Sequence, residues 1–181
     1  MRTSSSSHPR RPGLLQRWRR STSGATAVEF AMLLVLFMGI LAATLDTAIM
    51  YFAAAGLDAS VRNASRLIRT GQVQTSSMTA GAFRSRICSG VVGAFYCEKN
   101  LYVRVSVVSA FADVDLSTPI SGGKLSTASV FDPGNAGDIV VVQAYLPWDP
   151  MFNVLAYATP KLSDGRTLIA SAAVFRNEPF N

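Results

Sequence analysis

The chain has 181 residues, of which 49% are apolar and only 15% are charged, and its formal net charge is +6. This length allows one domain plus a membrane anchor and excludes two domains with independent cores. The low charged fraction, below the roughly 25% usual in soluble domains, and the mean hydropathy of +0.27 indicate apolar surface that faces lipid.

The excess positive charge is confined to the first 23 residues. Six arginines and no acidic residue precede Gly24, whereas the rest of the chain has equal numbers of basic and acidic side chains. A nucleic-acid-binding protein would carry a basic patch on its folded domain, so we expect no nucleic-acid partner. The polar, proline-containing composition predicts that residues 1–24 form a disordered basic leader.

A membrane-spanning helix is predicted immediately after this leader. Residues 27–46 have low polarity, and about 20 helical residues span the roughly 30 Å hydrocarbon core. Arginines on the N-terminal side place that end in the cytoplasm and the C-terminal domain on the outer side of the membrane. A cleaved signal peptide ending near Ala53-Ala54-Ala55 is the alternative interpretation.

The helical pattern continues well beyond the predicted span. Apolar residues recur at spacings of four, three and four along one stripe, and Gly71 is suited to end the helix. We therefore predict one transmembrane and projecting helix over residues 25–70, whose arginines form a solvated face opposite the stripe. The stripe consists of Leu57, Val61, Ala64 and Ile68, and the arginines are Arg62, Arg66 and Arg69.

Residues 71–181 are predicted to form a small α+β domain with an antiparallel sheet. Ser77 is a candidate cap for a helix over residues 78–88, and a further helical segment is predicted near residues 151–157. Gly122-Gly123 marks a turn in a long loop-rich interval between the first two strands. Alternating or valine-rich runs predict strands at residues 101–108, 138–146 and 166–175.

The two cysteines, Cys88 and Cys97, are nine positions apart. In an oxidising periplasm such a pair is interpreted as a disulfide, and two free buried thiols are the alternative. A metal site would need further ligands, and the single histidine, His8, lies in the leader. We therefore expect no metal or other cofactor.

Catalysis has little support in the sequence. With His8 on the other side of the membrane, no Ser/His/Asp or Cys/His arrangement can form in the exterior domain. Asp113 and Asp115 could form a carboxylate pair, but they follow a predicted strand and are more simply solvated turn residues. We expect neither enzymatic activity nor a small-molecule substrate.

Glu29 is an acidic residue at the start of the apolar helix, where a carboxylate usually has a partner. Cleavage after Gly24 would give Ala25 a positively charged amine about one helical turn before Glu29, on the same face. The two charges could pair within one subunit or between neighbouring subunits, and the helix dipole also favours an acid there. An interfacial glutamate that needs no partner is the alternative.

The run Gly-Ala-Thr-Ala-Val-Glu-Phe-Ala at residues 24–31, between an arginine-rich leader and an apolar helix, resembles a prepilin and in particular the TadE/TadG-like family. Members are minor, pseudopilin-like components of tight-adherence (Flp, type IVc) pili. The resemblance implies a pilin-like fold and cleavage between Gly24 and Ala25 by an inner-membrane prepilin peptidase. It makes Glu29 and Phe30 the residues for recognition and assembly.

The resemblance covers about residues 17–70. Asn63-Ala-Ser-Arg66 is similar to the Asn-Ala-Ala-Arg pattern of the family, with Ser65 as a departure. The implied partners are the prepilin peptidase, other Tad pilins, the pilus assembly platform and the inner membrane.

The predicted function is a cleaved minor pilin that supports pilus assembly and surface adherence, with incorporation into the extracellular pilus as an option. A membrane-anchored periplasmic binding or adhesion module that never enters a filament is the alternative.

Overall fold

The computed structural model describes residues 23–91, 94–125, 130–149 and 162–180. The predicted leader, apart from its last two residues, and the predicted helix near residues 151–157 lie outside this part. The chain divides into two compact units, Met1–Ala42 and Ala43–Asn181. A long N-terminal helix followed by a small antiparallel sheet confirms the predicted α+β class.

The described elements are four α-helices, one 3-10 helix and five strands. The helices are α1 (Ser23–Arg69), α2 (Gln72–Thr75), α3 (Ala80–Cys88), α4 (Ala94–Asn100) and the 3-10 turn Phe111–Asp113. The strands are β1 (Tyr102–Val108), β2 (Ile120–Ser121), β3 (Lys124–Leu125), β4 (Ile139–Trp148) and β5 (Thr167–Arg176).

Helix α1 begins two residues earlier than predicted and ends at Arg69. Gly71 follows with φ 76°, and its N–H donates to the carbonyl of Ile68 at 3.0 Å. Glycine adopts this left-handed conformation without the steric cost of a Cβ atom. The predicted stop is therefore confirmed.

The second half of α1 supplies one wall of the hydrophobic core. The predicted stripe is confirmed, since its four residues and Ala53 are each at most 2% exposed. They cluster with residues of α3, β1, β4 and β5. Full burial of a valine or leucine side chain contributes roughly 1.5–3 kcal/mol, so this stripe is a main source of stability for the second unit.

The main sheet has the order β1-β4-β5, and both pairs are antiparallel. Its central strand β4 is buried from Val140 to Pro147. Both faces of β4 are therefore covered, because successive residues of a strand point to opposite faces. On one face Val142 belongs to the core cluster, and on the other Gln143 donates to the carbonyl of Asp115 at 2.8 Å.

One local prediction, the helix cap at Ser77, is wrong. Helix α3 is capped by Thr79, whose hydroxyl accepts from the Ala82 N–H at 3.2 Å. Ser77 is not the cap because it has φ 50° in the turn after α2, outside the extended conformation that a cap residue adopts. The predicted turn at Gly122-Gly123 is confirmed, and it connects β2 and β3 in a separate two-stranded sheet.

Candidate assembly site on the N-terminal helix

The proposed cleavage position lies in the first turn of α1. Because the helix begins at Ser23, the Gly24–Ala25 peptide bond lies where the first N–H groups have no partner within the helix. A Cβ atom at Gly24 would meet no atom within 4 Å. Gly24 and Ala25 are both exposed.

Glu29 lies four residues after Ala25, which corresponds to about 6 Å along a helix axis. Its side chain is exposed. None of the ion pairs in the described part of the chain includes Glu29. The geometry on one helix allows the pairing with a new amine at Ala25, and that pairing stays a prediction.

Phe30 begins an exposed apolar surface on α1. It is 66% exposed, and side chains from Gly24 to Leu41 are all exposed. An 18-residue window of this helix reaches a mean hydropathy of 2.3 with none of it buried. Transfer of such a surface out of water is favourable. The helix is long and apolar enough to cross a membrane once, as in a single-pass membrane protein.

In the second unit, α1 packs closely against the segment that follows α3. A Cβ atom at Gly56 would lie 3.5 Å from the carbonyl oxygen of Gly90, and one at Gly90 would overlap the hydroxyl of Ser60. Small residues on both sides therefore permit this contact.

Cys88 and Cys97 form a disulfide in the structure, with their Cα atoms 5.5 Å apart. Both are buried, at 0% and 1% exposure. The bond joins the end of α3 to α4, and Tyr96 beside it donates its hydroxyl to the carbonyl of Pro147 at 2.8 Å. The disulfide thus fastens the two short helices where they meet β4.

The flank of α1 is connected to β5 through Asp58. One carboxylate oxygen of Asp58 accepts from the Ser171 hydroxyl at 2.9 Å, and the other pairs with Arg62. The hydrogen bond to Ser171 bridges 113 positions of sequence. Asp58 therefore links the helix to the edge strand of the sheet.

The end of α1 is covered by the C-terminal tail. The Glu178 N–H donates to the carbonyl of Arg69 at 2.9 Å, and the Glu178 carboxylate lies 3.0 Å from the Arg69 guanidinium. The backbone bond satisfies one of the carbonyls that a helix end leaves without a partner. Phe180 packs over Gly71.

The candidate carboxylate pair, Asp113 and Asp115, lies in and just after the 3-10 turn. Asp115 accepts from the Ser117 N–H at 2.8 Å, and this hydrogen bond is the main reason that the pKa of Asp115 lies below its usual range. Asp113 ends the 3-10 turn. Among the residues that the structure describes, no group of three or more His, Cys, Asp or Glu side chains could hold a metal ion.

Residues 24–66 match the family model described as TadE-like protein. This match lies within α1, covers about a quarter of the chain and confirms the predicted resemblance there. Members of that family are pilus-associated, and the match gives no positive support for catalysis. No curated protein and no solved structure matches the chain.

Sequence reasoning did not identify the surface between α1 and β5. The arginines of α1 are exposed, as predicted, and Arg62, Arg66 and Arg69 also line a groove whose other wall is β5. Asp58 and Arg62 are four residues apart and form an ion pair on one face of the helix. Nothing in the local pattern indicated Ser171 as a further partner.

Proposed function

We propose that this chain, with its TadE-like helix, is a minor pilin-like protein for assembly of a Tad (type IVc) pilus. A prepilin peptidase would cut between Gly24 and Ala25, and the mature protein would support surface adherence. The family match over residues 24–66, which begins at Gly24, is the observation that carries this proposal.

The charge distribution supports processing at this position. Cleavage after Gly24 would remove six arginines together and leave equal numbers of basic and acidic side chains. The new amine at Ala25 would lie one turn from Glu29, where opposite charges at this helical spacing attract each other. We propose that this pair orients the helix among neighbouring pilin helices.

We propose three parts for the chain: a leader of residues 1–24, a helix of residues 25–70 and an exterior domain of residues 71–181. The leader would lie in the cytoplasm and the exterior domain in the periplasm, in accordance with the positive-inside rule. The packing of Leu57, Val61 and Ile68 into the core supports a rigid connection between the second half of the helix and this exterior domain.

One observation favours a second function. The unit Ala43–Asn181 has a core of its own, most of which lies outside the family match. A membrane-anchored periplasmic binding or adhesion module would need such a domain and no cleavage.

Replacement of Gly24 separates the two functions. Gly24→Leu should block processing, leave the protein at its full-length size and abolish incorporation into pili. Gly39→Ala is the matched control, because Gly39 lies in the same helix and also has no atom within 4 Å of a Cβ position. Immunoblots of membranes and of sheared pili measure both effects. If the wild-type and Gly24→Leu proteins have the same full-length size and neither is found in sheared pili, the anchored module is supported instead.

A further inference from the structure

Strand β5 has an outer edge without a partner in the described part of the chain. It lies at the end of the sheet β1-β4-β5, and its register pairs it with β4 alone. The opposite edge strand is protected, since the Val105 N–H donates to the Val130 carbonyl and the Asp132 N–H donates to the Val105 carbonyl, at 2.9 and 3.0 Å.

The composition of β5 makes this edge available for pairing. Its sequence is Thr-Leu-Ile-Ala-Ser-Ala-Ala-Val-Phe-Arg, which contains no proline and no charge before its last residue. Proteins usually protect long edge strands with charges, prolines, bulges or covering segments. A strand whose first nine residues are uncharged, and whose outer edge pairs with no other described strand, is therefore a template for an added strand.

A groove of about 450 Å³ runs along this edge. Four consecutive residues of β5, Ala172, Ala173, Val174 and Phe175, line it. Consecutive strand residues point to opposite faces, so a cavity that touches all four must lie along the backbone edge. Four strand residues extend over about 13 Å, the length of a short extended peptide.

The opposite wall of the groove is positively charged. It contains Asp58 and three arginines of α1. Arg62 pairs with Asp58, and Arg69 pairs with Glu178. Arg66 is exposed and forms none of the ion pairs of the described residues. One cation of the groove thus has no counter-ion there. The exposed guanidinium of Arg66 favours an anionic group on a ligand in this groove.

We propose that this groove binds an extended segment of a partner protein that adds as a strand to the edge of β5 and places an acidic side chain against Arg66. Main-chain hydrogen bonds provide affinity in this mode of recognition, and side-chain contacts provide specificity. The inference goes beyond the proposed function, because it depends neither on cleavage nor on incorporation into a pilus.

The test uses the full chain in lipid nanodiscs and a fluorescein-labelled peptide, Gly-Ser-Thr-Val-Glu-Val-Thr-Ser-Gly. Fluorescence anisotropy should show saturable binding. Replacing the glutamate with lysine, or methylating alternate backbone nitrogens, should each weaken binding at least tenfold. The first change removes the charge complementarity, and the second removes the main-chain donors.

Variants of the groove complete the test. Arg66→Glu should weaken binding of the acidic peptide at least tenfold, whereas Arg86→Glu, an exposed site on α3, should leave it unchanged.

Absence of saturable binding by the glutamate peptide up to about 1 mM, a weak affinity limit, would overturn the proposal. Binding that is insensitive to backbone methylation would also overturn it, since that result indicates simple ion attraction. Equal effects of Arg66→Glu and Arg86→Glu would likewise exclude a specific groove.

Discussion

Phe180 lies directly over Gly71. A Cβ atom at Gly71 would be 2.5 Å from the Cγ atom of Phe180, so the C-terminal tail can pack here only against a glycine. The same tail is joined to the last turn of α1 by a backbone hydrogen bond and an ion pair between Glu178 and Arg69. The last turn of α1 and the C-terminal tail are therefore packed together.

Gly71→Ala is expected to destabilise the protein by about 1–3 kcal/mol. The substitution places a side chain at φ 76° and displaces the Phe180 ring. Thermal unfolding of the full chain in detergent, followed by circular dichroism, measures the effect. Gly81→Ala is the matched control, since a Cβ atom there would meet nothing closer than 3.9 Å. Equal melting temperatures for the two variants would contradict the close packing of Phe180.

Loss of the Cys88–Cys97 disulfide should lower the free energy of unfolding by about 2 to 3 kcal/mol, the chain-entropy value for so short a loop. The double variant Cys88→Ser with Cys97→Ser provides the measurement, with urea denaturation of the full chain in detergent. Wild-type protein should show no thiol labelling without reductant. Ready labelling of both cysteines in the native protein would refute the bond.

Acidification should lower the free energy of unfolding, because it protonates Asp164 and Asp115. The pKa of Asp164 is lowered chiefly by its hydrogen bond with the Arg166 side chain, and that of Asp115 by the Ser117 backbone N–H. A carboxylate with a lowered folded-state pKa stabilises the fold above the unfolded value of about 3.9. This contribution is lost as the pH falls through the lowered folded-state pKa.

Asp164→Asn should therefore flatten the decrease in melting temperature below about pH 4, without changing the slope at neutral pH. Melting curves of the variant and the wild type between about pH 6 and pH 2.5 check this. Asp113→Asn, at an exposed neighbour of Asp115, serves as the comparison. If the melting temperature of Asp164→Asn falls with acid pH as steeply as that of the wild type, the Arg166 hydrogen bond is excluded as a source of pH dependence.

Glu29→Ala is expected to leave cleavage intact and to abolish assembled pili. Removal of the carboxylate eliminates the attraction to the new amine of Ala25 while the cleavage position itself is unchanged. Electron microscopy of piliation and the N-terminal sequence of the variant provide the two readouts. Glu29→Gln keeps the size of the side chain but removes its charge, and it should behave like Glu29→Ala. Normal piliation in either variant would argue against charge pairing.

The features that the sequence predicted well are those with local physical causes. The buried stripe of Leu57, Val61 and Ile68 was predicted from the period of the helix. The helix end at Gly71 was predicted from the left-handed conformation that glycine adopts easily. The valine-rich run of β4 predicted a strand because β-branched side chains favour that state. Each of these can be recognised within a few neighbouring residues.

The features that it missed depend on contacts between distant segments. The hydrogen bond that the Ser171 hydroxyl donates to Asp58, and the groove beside β5, form only when the sheet packs on α1. Helix α4 has seven residues, too few for a periodic pattern to be distinguished from a loop. The cap at Thr79 rather than Ser77 depends on the turn that α2 introduces.

The N-terminus of the mature protein tests the central claim most directly. Mass spectrometry of the protein purified from membranes and from sheared pili should identify Ala25 as the first residue, with Glu29 at the fifth position. A chain that begins at Met1, or after Ala55, would contradict processing at Gly24 and with it the role proposed here in pilus assembly.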